Sequence, residues 1–351
     1  MDAGVISRAN VAAKGGWTGG TPGVRAVEKI NRHTIDRRLR KTLGVPRYDA
    51  LKGAYYGARR LARRNPGRGR MLPDFLVIGS TKCGTTSLHG WLVDHPLVAP
   101  TKKEIHFFNM NYYRGQDWYR CYFPLERERD QFAREHGRPF LAGEATASYL
   151  AHHWTPERAA KVVPEARLVV CLRDPIDRAY SQYHYFRRRG SEPLETFEEA
   201  IASEPERLRG EEEREIADRH YHSWRVYRWG YLRTSRYAEH LERWFEAYPR
   251  EQFLFLRFDE VVADPQRALE RVQAHVGLPA HRNEQLPTLN AGSYEPMAAQ
   301  TRARLEEYFA PHNERLFELT GIDFRRAGAS AEQAVHAGSP AVDAAGEQHQ
   351  A

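Results

Sequence analysis

The residues best suited to chemistry lie at positions 79–87, in the sequence GSTKCGTTS. Gly79 and Gly84 keep the spacing of the phosphate-binding loop G-x-x-x-x-G-K-[ST], but Thr85 stands at its lysine position and the lysine lies at Lys82. Such a loop can hold a phosphate at a helix N-terminus, and without the usual lysine it indicates a nucleotide that does not react at a γ-phosphate. The alternative is an ordinary strand-to-helix turn capped by Thr85 or Thr86. The residues predicted to contact the nucleotide are Lys82, Cys83, Gly84, Thr85, Thr86 and Ser87.

A second candidate phosphate contact lies in residues 167–189, RLVVCLRDPIDRAYSQYHYFRRR. The apolar run Leu168–Leu172 predicts a buried parallel strand, and a helix follows it. Arg173 stands at the carboxyl end of this strand, where ligands bind in open α/β sheets, and Ser181 lies two turns into the helix. An arginine and a serine so placed suit a second, separate phosphate. The alternative is a structural turn followed by a solvated basic helix.

Together these stretches resemble the PAPS-dependent sulfotransferases, where PAPS is 3′-phosphoadenosine 5′-phosphosulfate. The first stretch is similar to the family's 5′-phosphosulfate loop and the second to its 3′-phosphate site. The resemblance is strongest to the heparan sulfate branch, both N-sulfating and 3-O-sulfating, and to its bacterial relatives. It covers about residues 72–325 in the family's order, and five further segments carry it: His95–Pro124, Gly143–Leu150, Arg236–Pro265, Leu289–Met297 and Tyr308–Phe324.

The resemblance also implies which residues are catalytic. Lys82 would be the cation on the 5′-phosphosulfate, and Glu104, in the sequence KKEIHFF, falls on the family's catalytic glutamate. Sulfuryl transfer needs both, because a base must take the acceptor's proton while negative charge grows on the leaving phosphate oxygen. His106 would share a face with Glu104 in an extended segment, and would orient the acceptor or assist the base. The alternative is a surface Lys–Glu pair beside a packed histidine.

Two departures from the family pattern concern cations. The family's E-K-S-A-T-Y-F type motif becomes EATASYL at residues 144–150, so Ala145 replaces its lysine, and Lys102 and Lys103 are the candidates to substitute for it. A later loop, implied to close over the 3′-phosphate, is commonly K-G-R-x-x-P but has lost both cations here. The residues predicted to contact phosphate there are Gly292, Ser293 and Tyr294, supplemented by Arg302 and Arg304.

The net charge of +7 is distributed unevenly along the 351 residues. Residues 1–72 hold 17 Lys and Arg against 4 Asp and Glu, a net of +13, so the remainder of the chain is mildly acidic at −6. We expect a basic, partly disordered and partly helical arm (1–70), one sulfotransferase domain (71–326) and a disordered tail (327–351). The arm is expected to be a solvated extension packed on the domain. The alternative is a peripheral contact with an anionic membrane.

Composition narrows the remaining possibilities. No apolar run approaches 18 residues and the first 20 residues lack the apolar core of a signal peptide, so a cytoplasmic location is expected, unlike that of the Golgi-anchored eukaryotic relatives. Cys83, Cys121 and Cys171 follow neither metal nor disulfide spacing, and reduced thiols are expected. The sequence shows no ligand cluster for a metal, so the expectation is PAPS as co-substrate and no metal.

Alternating strands and helices predict a single α/β domain with a central parallel sheet flanked by helices, a P-loop-like sulfotransferase fold. Residues 204–228, charged and then aromatic, are expected to form either a substrate-side flap or a solvated helical insert. Strands are predicted at Phe75–Ile78, Phe140–Glu144, Leu168–Leu172 and Phe253–Arg257. Helices are predicted at Thr85–Asp94, Pro175–Arg189, Phe197–Ser203, Arg236–Ala247 and Pro265–Val276.

Three functions follow from these patterns. The first is sulfuryl transfer from PAPS to a hydroxyl or amine of a small-molecule or glycan acceptor, whether carbohydrate, glycolipid or natural product. The second is a P-loop kinase or NTPase, which the missing G-K-[ST] and the absence of a clear metal-binding carboxylate after an apolar strand oppose. The third is binding to an anionic surface or nucleic acid through the basic arm. Because the positive charge is confined to that arm, it indicates an accessory role at most, and no nucleic-acid partner is expected.

Overall fold

The computed structural model describes residues 67–287 and 294–324. Its sheet has four parallel strands, in the spatial order β2-β1-β3-β4. The predicted α/β class with a parallel sheet flanked by helices is confirmed. The predicted arm and tail lie outside the described residues, apart from 67–70 at the end of the arm, and so do Gly292 and Ser293. The strands are β1 (Phe75–Gly79), β2 (Gly143–Ala145), β3 (Arg167–Leu172) and β4 (Phe253–Arg257).

The central strands are apolar on both faces because both faces are covered. Every residue of β1 is buried, and so is every residue of β3 after the first. The edge strand β4 is only half-buried. The prediction of a strand at Phe140–Glu144 was displaced, since pairing with β1 begins at Gly143. The ring of Phe75 fills the space beside this glycine, where a Cβ would lie 2.0 Å from a ring carbon.

Parallel pairing places the candidate residues at one edge of the sheet. β1 lies between β2 and β3, with Phe75 opposite Gly143 and Gly79 opposite Val170. The carboxyl ends of these three strands therefore meet, and the segments that follow them are neighbours. These segments contain the glycine-bounded loop after β1, the turn after β2 and Arg173 after β3.

Local sequence accounts for the helix starts. The helix after β3 begins at Pro175, and Asp174 caps it by accepting the N–H groups of Ile176 and Asp177 at 3.0 and 3.1 Å. The helices of the described residues are α1 (Thr85–Val93), α2 (Gln116–Arg120), α3 (Glu126–His136), α4 (Thr155–Val162), α5 (Pro175–Arg188), α6 (Phe197–Ala202), α7 (Glu204–Arg207), α8 (Glu211–Ala217), α9 (Trp224–Trp229), α10 (Tyr237–Ala247), α11 (Phe258–Ala263), α12 (Pro265–His275) and α13 (Ala299–Thr320).

The segment of residues 204–229, which we call the insert, consists of α7, α8, α9 and their connections. It packs on the domain, because the carboxylates of Glu204, Glu211 and Glu215 are all buried. Glu204 accepts the N–H groups of Leu232 and Arg233, both at 2.8 Å. The insert is therefore helical, as one of the two alternatives predicted, and these buried carboxylates anchor one side of it to the domain. Within the described ranges, no helix has the length and apolarity needed to span a bilayer.

Candidate active site

The loop after β1 is shaped to receive an anion. Lys82 and Gly84 both have left-handed backbones, with φ of 69° and 76°. Gly84 directly precedes α1, and a Cβ on it would lie 3.0 Å from the ring of Phe258, so glycine is required twice over. Among the described residues no side chain caps α1, and its first turn has no acidic residue. The first amides of α1 can therefore serve a ligand.

Lys82 is the charged group of this loop. Its Nζ lies 4.3 Å from the ring centroid of Tyr185. Burial and then the positive charges of Arg188 and Arg173 lower the pKa of Lys82 to about 8. This concentration of positive charge favours binding of an anion, which would raise the pKa of Lys82 again.

The other loop residues differ in how they face the site. The side chain of Cys83 is fully buried, with Sγ 3.6 Å from the carbonyl oxygen of Thr81, and burial raises the pKa of its thiol. Only its backbone can contact a ligand. Thr85 and Ser87 are also buried, whereas Thr86 is half-buried.

The second predicted phosphate site adjoins this loop, since Arg173 and Gly84 lie against the same Phe258 ring. Arg173 follows β3, and its guanidinium lies 5.1 Å from the ring centroid of Phe258. Burial opposes its charge, but Tyr294 and Asp177 outweigh burial and raise the pKa of Arg173. Ser181 is buried on α5. The structure therefore brings Arg173 and Tyr294 together. Ser181 lies on α5, the helix that follows Arg173.

Tyr294 is held against α5 by aromatic contacts. Its ring stacks on His184 with centroids 4.4 Å apart and meets the edge of Tyr180 at 5.3 Å. The hydroxyl of Tyr180 donates to the carbonyl oxygen of Glu295 at 2.9 Å. Of the two downstream cations, Arg302 pairs with Asp177 in the first turn of α5, whereas Arg304 is exposed. Arg302 alone can therefore support this site.

Glu104 and His106 meet, although their segment is not extended, which was the condition under which they were expected to share a face. Both residues have left-handed backbones with φ of 57°. His106 Nε2 lies 3.1 Å from Glu104 Oε2, and Lys103 Nζ donates to Glu104 Oε1 at 2.9 Å. Burial lowers the pKa of His106, and the negative charge of Glu104 beside it opposes that shift. The Nδ1 of His106 faces the hydroxyl of Ser148 at 3.4 Å.

The strand β2 and its following turn fix this pair. The N–H of Glu104 donates to the carbonyl oxygen of Ala145 at 2.8 Å, and the N–H of His106 to Thr146 Oγ1 at 3.4 Å. Ala145, at the position of the family's lysine, is fully buried. Lys103 lies beside Glu104, whereas Lys102 Nζ lies 5.3 Å from the ring centroid of Tyr122. Lys103 is therefore the better substitute for that lysine.

A buried carboxylate beneath this segment was missed in the sequence. Glu144 is fully buried and accepts hydrogen bonds from the hydroxyls of Tyr119, Thr146 and Tyr149. Tyr149 in turn accepts the N–H of Phe107 at 2.8 Å. Burial raises the pKa of Glu144 to about 7, and the three hydrogen bonds oppose that rise. The acidic residue and the tyrosine of the motif EATASYL carry this signal in the sequence.

Comparison with known proteins decides the family. Residues 72–321 match the family described as "Sulfotransferase domain". The chain belongs to the sulfotransferase family. Its resemblance to the heparan sulfate branch is confirmed by 32% identity over 284 residues to the human "Bifunctional heparan sulfate N-deacetylase/N-sulfotransferase 3", covering 71% of this chain. The match covers 30% of that protein, so this sulfotransferase spans less than a third of its length.

Two further relatives are matched over most of their own length. The human "Heparan sulfate glucosamine 3-O-sulfotransferase 6" is 29% identical over 283 residues, covering 74% of this chain and 75% of that protein. The crystal structure of a sulfotransferase from Alicyclobacillus acidocaldarius has 30% identity and a TM-score of 0.56, covering 72% of this chain and 97% of that one. The predicted sulfotransferase fold is thereby confirmed.

In this sulfotransferase, two tyrosines lie between the loop after β1 and the Glu104–His106 pair. The ammonium of Lys82 lies over the ring of Tyr185, and the rings of Tyr227 and His106 are in T-shaped contact with centroids 6.5 Å apart. Burial and then the charge of Glu104 raise the pKa of Tyr227. The two predicted parts of the site therefore face the same aromatic surface. Nothing in the sequence distinguished these tyrosines from core aromatics.

Arg178 is a further residue that sequence reasoning missed. It is fully buried on α5 and donates to Thr81 Oγ1 at 3.2 Å, to Gln182 Oε1 at 2.6 Å and to Ser235 Oγ at 2.6 Å. These bonds tie the phosphate loop of the sulfotransferase to α5. In the sequence, Arg178 belongs to a helix rich in cations, and its burial has no local signal.

Proposed function

We propose that this sulfotransferase moves the sulfuryl group of PAPS to a hydroxyl or amine of a carbohydrate, glycolipid or natural-product acceptor. One observation carries the assignment of its catalytic residues. Within the described ranges, the non-glycine residues with positive φ are Lys82, Glu104 and His106. Such conformations cost about 1–3 kcal/mol each and persist where function requires them. The strained residues are thus the three that the sequence predicts to be catalytic.

The donor would bind across the two phosphate positions. The first amides of α1, with the hydroxyls of Thr85, Thr86 and Ser87, would hold the 5′-phosphate. Arg173, Ser181 and Tyr294 would hold the 3′-phosphate. This fit is supported by the positive charges near Lys82, which come from Arg173, Arg188 and Lys103 and disfavour one another until an anion binds.

Two residues of this chain would then accept the acceptor's proton and stabilise the negative charge that develops on the leaving group. Glu104 would accept the proton of the attacking hydroxyl or amine as the new O–S or N–S bond forms. Lys82 would stabilise the phosphate oxygen released as the S–O bond breaks. A third of the Glu104 side chain is exposed, so an acceptor can reach it, and the neutral His106 would hold it in position.

The names of the two human relatives favour a glycan acceptor. Both human relatives are named for heparan sulfate, one as an N-sulfotransferase and one as a 3-O-sulfotransferase. An amino sugar would offer this enzyme both an amine and hydroxyls. Glu104 matters most for a hydroxyl, because an amine that is already deprotonated needs a base less.

The kinase alternative is opposed by Asp174. This carboxylate, which follows β3, accepts the two N–H groups that begin α5. It is therefore engaged as a helix cap rather than available to hold a metal–nucleotide complex. The alternative of a binding protein that acts through the basic arm concerns residues that lie almost wholly outside the described range.

The test combines ligand binding with transfer. Adenosine 3′,5′-bisphosphate should raise the melting temperature of the full chain, and ATP with Mg²⁺ should not. Radiolabelled sulfate should pass from PAPS to an oligosaccharide containing glucosamine, supplied either with a free amine or with an N-acetyl group. Lys82→Ala should abolish this transfer. Equal stabilisation by ATP with Mg²⁺, or no transfer to any member of a broad acceptor pool analysed by mass spectrometry, would refute the proposal.

A further inference from the structure

Three side chains that could bind a metal converge beside the proposed active site. His152 follows the turn after β2, Glu215 lies on α8 and His222 precedes α9. One ligand atom of each lies within 4.8 Å of the other two. No metal cluster was predicted from the sequence because His152 lies far along the chain from the other two residues, and only the folded insert brings them together.

The nitrogen atoms of this cluster lack hydrogen-bond partners. Within the part of the chain that the structure describes, both ring nitrogens of His152 and both of His222 are buried without one. His152 is 4% exposed and Glu215 3% exposed. His152 Nε2 lies 3.2 Å from Glu215 Oε1, yet the two are not aligned as a hydrogen bond. Buried polar atoms normally have partners, so an additional ligand is indicated.

The cluster lines a small cavity. Its volume is about 40 Å³, which is enough for one ion or one water molecule. Besides the three ligand candidates, its walls include Ser80 of the phosphate loop and Ser148, which bonds to His106. The cavity therefore lies between the donor loop and the Glu104–His106 pair.

We propose that His152, Glu215 and His222 bind one divalent transition-metal ion of the zinc class. Two imidazoles and one carboxylate are a known zinc ligand set, with bonds of about 2.0–2.2 Å and a fourth position left open. In this site the fourth position faces the cavity. The ligand atoms need only small side-chain rotations to reach those distances, because they already lie within 4.8 Å of one another.

The protonation states suit metal binding. Burial lowers the pKa of His152 well below its usual range and that of His222 to about 4, so both imidazoles are neutral near pH 7. Burial also raises the pKa of Glu215 to about 7, while Arg233 and Arg243 oppose that rise. A bound cation would stabilise the ionised form of the Glu215 carboxylate.

The ion would have a structural role and would not contact the reacting atoms. It would hold α8 and the connection to α9 against the turn after β2. That turn carries Ser148, and α9 carries Tyr227, and both residues contact the imidazole of His106. Metal binding would thus hold the insert beside the catalytic pair. This inference does not depend on the proposed donor or acceptor.

The experiment measures metal binding directly in the full chain without an affinity tag. Protein stripped with a chelator is titrated with Zn²⁺ against a chromophoric chelator, and with Co²⁺ for its visible absorption. We expect one equivalent of Zn²⁺, and the Co²⁺ spectrum of a four- or five-coordinate site. His222→Ala should weaken zinc binding at least tenfold and abolish that spectrum. His220→Ala is the control, because His220 is an exposed histidine of the same insert.

A second variant covers the case in which His222→Ala does not fold by circular dichroism. Glu215→Gln keeps the shape of the side chain but removes its charge, and it should also weaken zinc binding at least tenfold. If Zn²⁺ binds the wild type, Glu215→Gln and His220→Ala equally, or if the wild type binds less than one equivalent, the cavity holds water and the proposal is wrong.

Discussion

Lys82→Met should make the protein more stable and catalytically inactive at once. The pKa of Lys82 is lowered from 10.5 to about 8, chiefly by burial and then by Arg188 and Arg173. The folded chain therefore binds this proton less tightly than the unfolded chain does. Below pH 8 the lysine is charged in both states, and that charge costs the folded state free energy.

The magnitude follows from two opposing terms. A change from 10.5 to about 8, at about 1.4 kcal/mol per pKa unit, is on the order of 3 kcal/mol, and solvent contact of the half-buried side chain reduces it to about 2 kcal/mol. The contact of Nζ with the Tyr185 ring at 4.3 Å returns about 0.5–1 kcal/mol. Methionine keeps the length of the side chain and removes both terms. We therefore expect Lys82→Met to raise the free energy of unfolding by about 1–2 kcal/mol at pH 7.

The assay is urea denaturation of the ligand-free protein at pH 7 and at pH 10.5, with sulfate transfer measured in parallel. The free energy of unfolding of the wild type should rise relative to that of the variant as the pH increases between these values. The reason is that the unfolded chain holds the lysine proton up to about pH 10.5, whereas the folded chain releases it near pH 8. The gain from Lys82→Met should therefore vanish by pH 10.5, while turnover falls by at least about 10²-fold at pH 7. Lys161→Met, at an exposed position of α4, is the control and should change stability by less than about 0.5 kcal/mol. A variant that is no more stable than wild type at pH 7, or a gain that persists unchanged to pH 10.5, would refute this account of Lys82.

Three further predictions concern the remaining site residues. Arg173→Ala and Ser181→Ala should each weaken the binding of adenosine 3′,5′-bisphosphate by about 1.5–3 kcal/mol and the binding of adenosine 5′-phosphosulfate far less. Equal losses of binding free energy by calorimetry would mean that the 3′-phosphate site is misplaced. Glu104→Gln should keep donor affinity and lose about 10²–10⁴-fold in turnover; a parallel loss of both would make Glu104 structural and His106 the better base. Tyr149→Phe should cost about 1–3 kcal/mol of stability and lower turnover without changing donor affinity, because it leaves the N–H of Phe107 unpaired; unchanged denaturation and turnover would show that this bond does not hold the Glu104 segment.

The strands and the phosphate loop were predictable because their signals are local. Apolar runs bounded by glycine, proline or charge fixed β1, β3 and β4 to within one residue. The loop then followed from the end of β1, and the position of Arg173 from the end of β3. The strand β2 was displaced because its start depends on the ring of Phe75, a tertiary contact that its own residues do not reveal.

The geometry of the base was only partly predictable. The residue types around Glu104 indicated a carboxylate in a buried segment with His106 nearby, and the two residues do meet, but not through an extended backbone. Left-handed backbone at a glutamate and a histidine has no local sequence signal, because propensity disfavours it. It is imposed by bonds from β2 and its following turn, including that of Glu104 N–H to Ala145. The role of Gly292 and Ser293 stays a prediction, since they lie outside the described residues.

The burial of charge in the insert and on α5 was the least predictable feature. Arg178 and Glu215 are ordinary members of charged helical stretches in the sequence, yet both are buried. Their burial depends on partners far along the chain, such as Ser235 for Arg178 and His152 for Glu215. A pattern of hydrophobicity cannot record such partners, because it scores each charged residue as solvated.

The strain at Lys82, Glu104 and His106 explains why so much buried hydrogen bonding surrounds the site. At about 1–3 kcal/mol each, three left-handed residues together cost an amount comparable with the whole stability of a typical domain. The desolvated charge of Lys82 adds to that cost. Arg178 holds the loop that carries Lys82, and Glu144, through Tyr149, holds the segment that carries Glu104 and His106. Each residue proposed to be catalytic is thus kept in an unfavourable conformation by buried hydrogen bonds, either direct or relayed through Tyr149, so substitution of those supporting groups should relax the site before it unfolds the sheet.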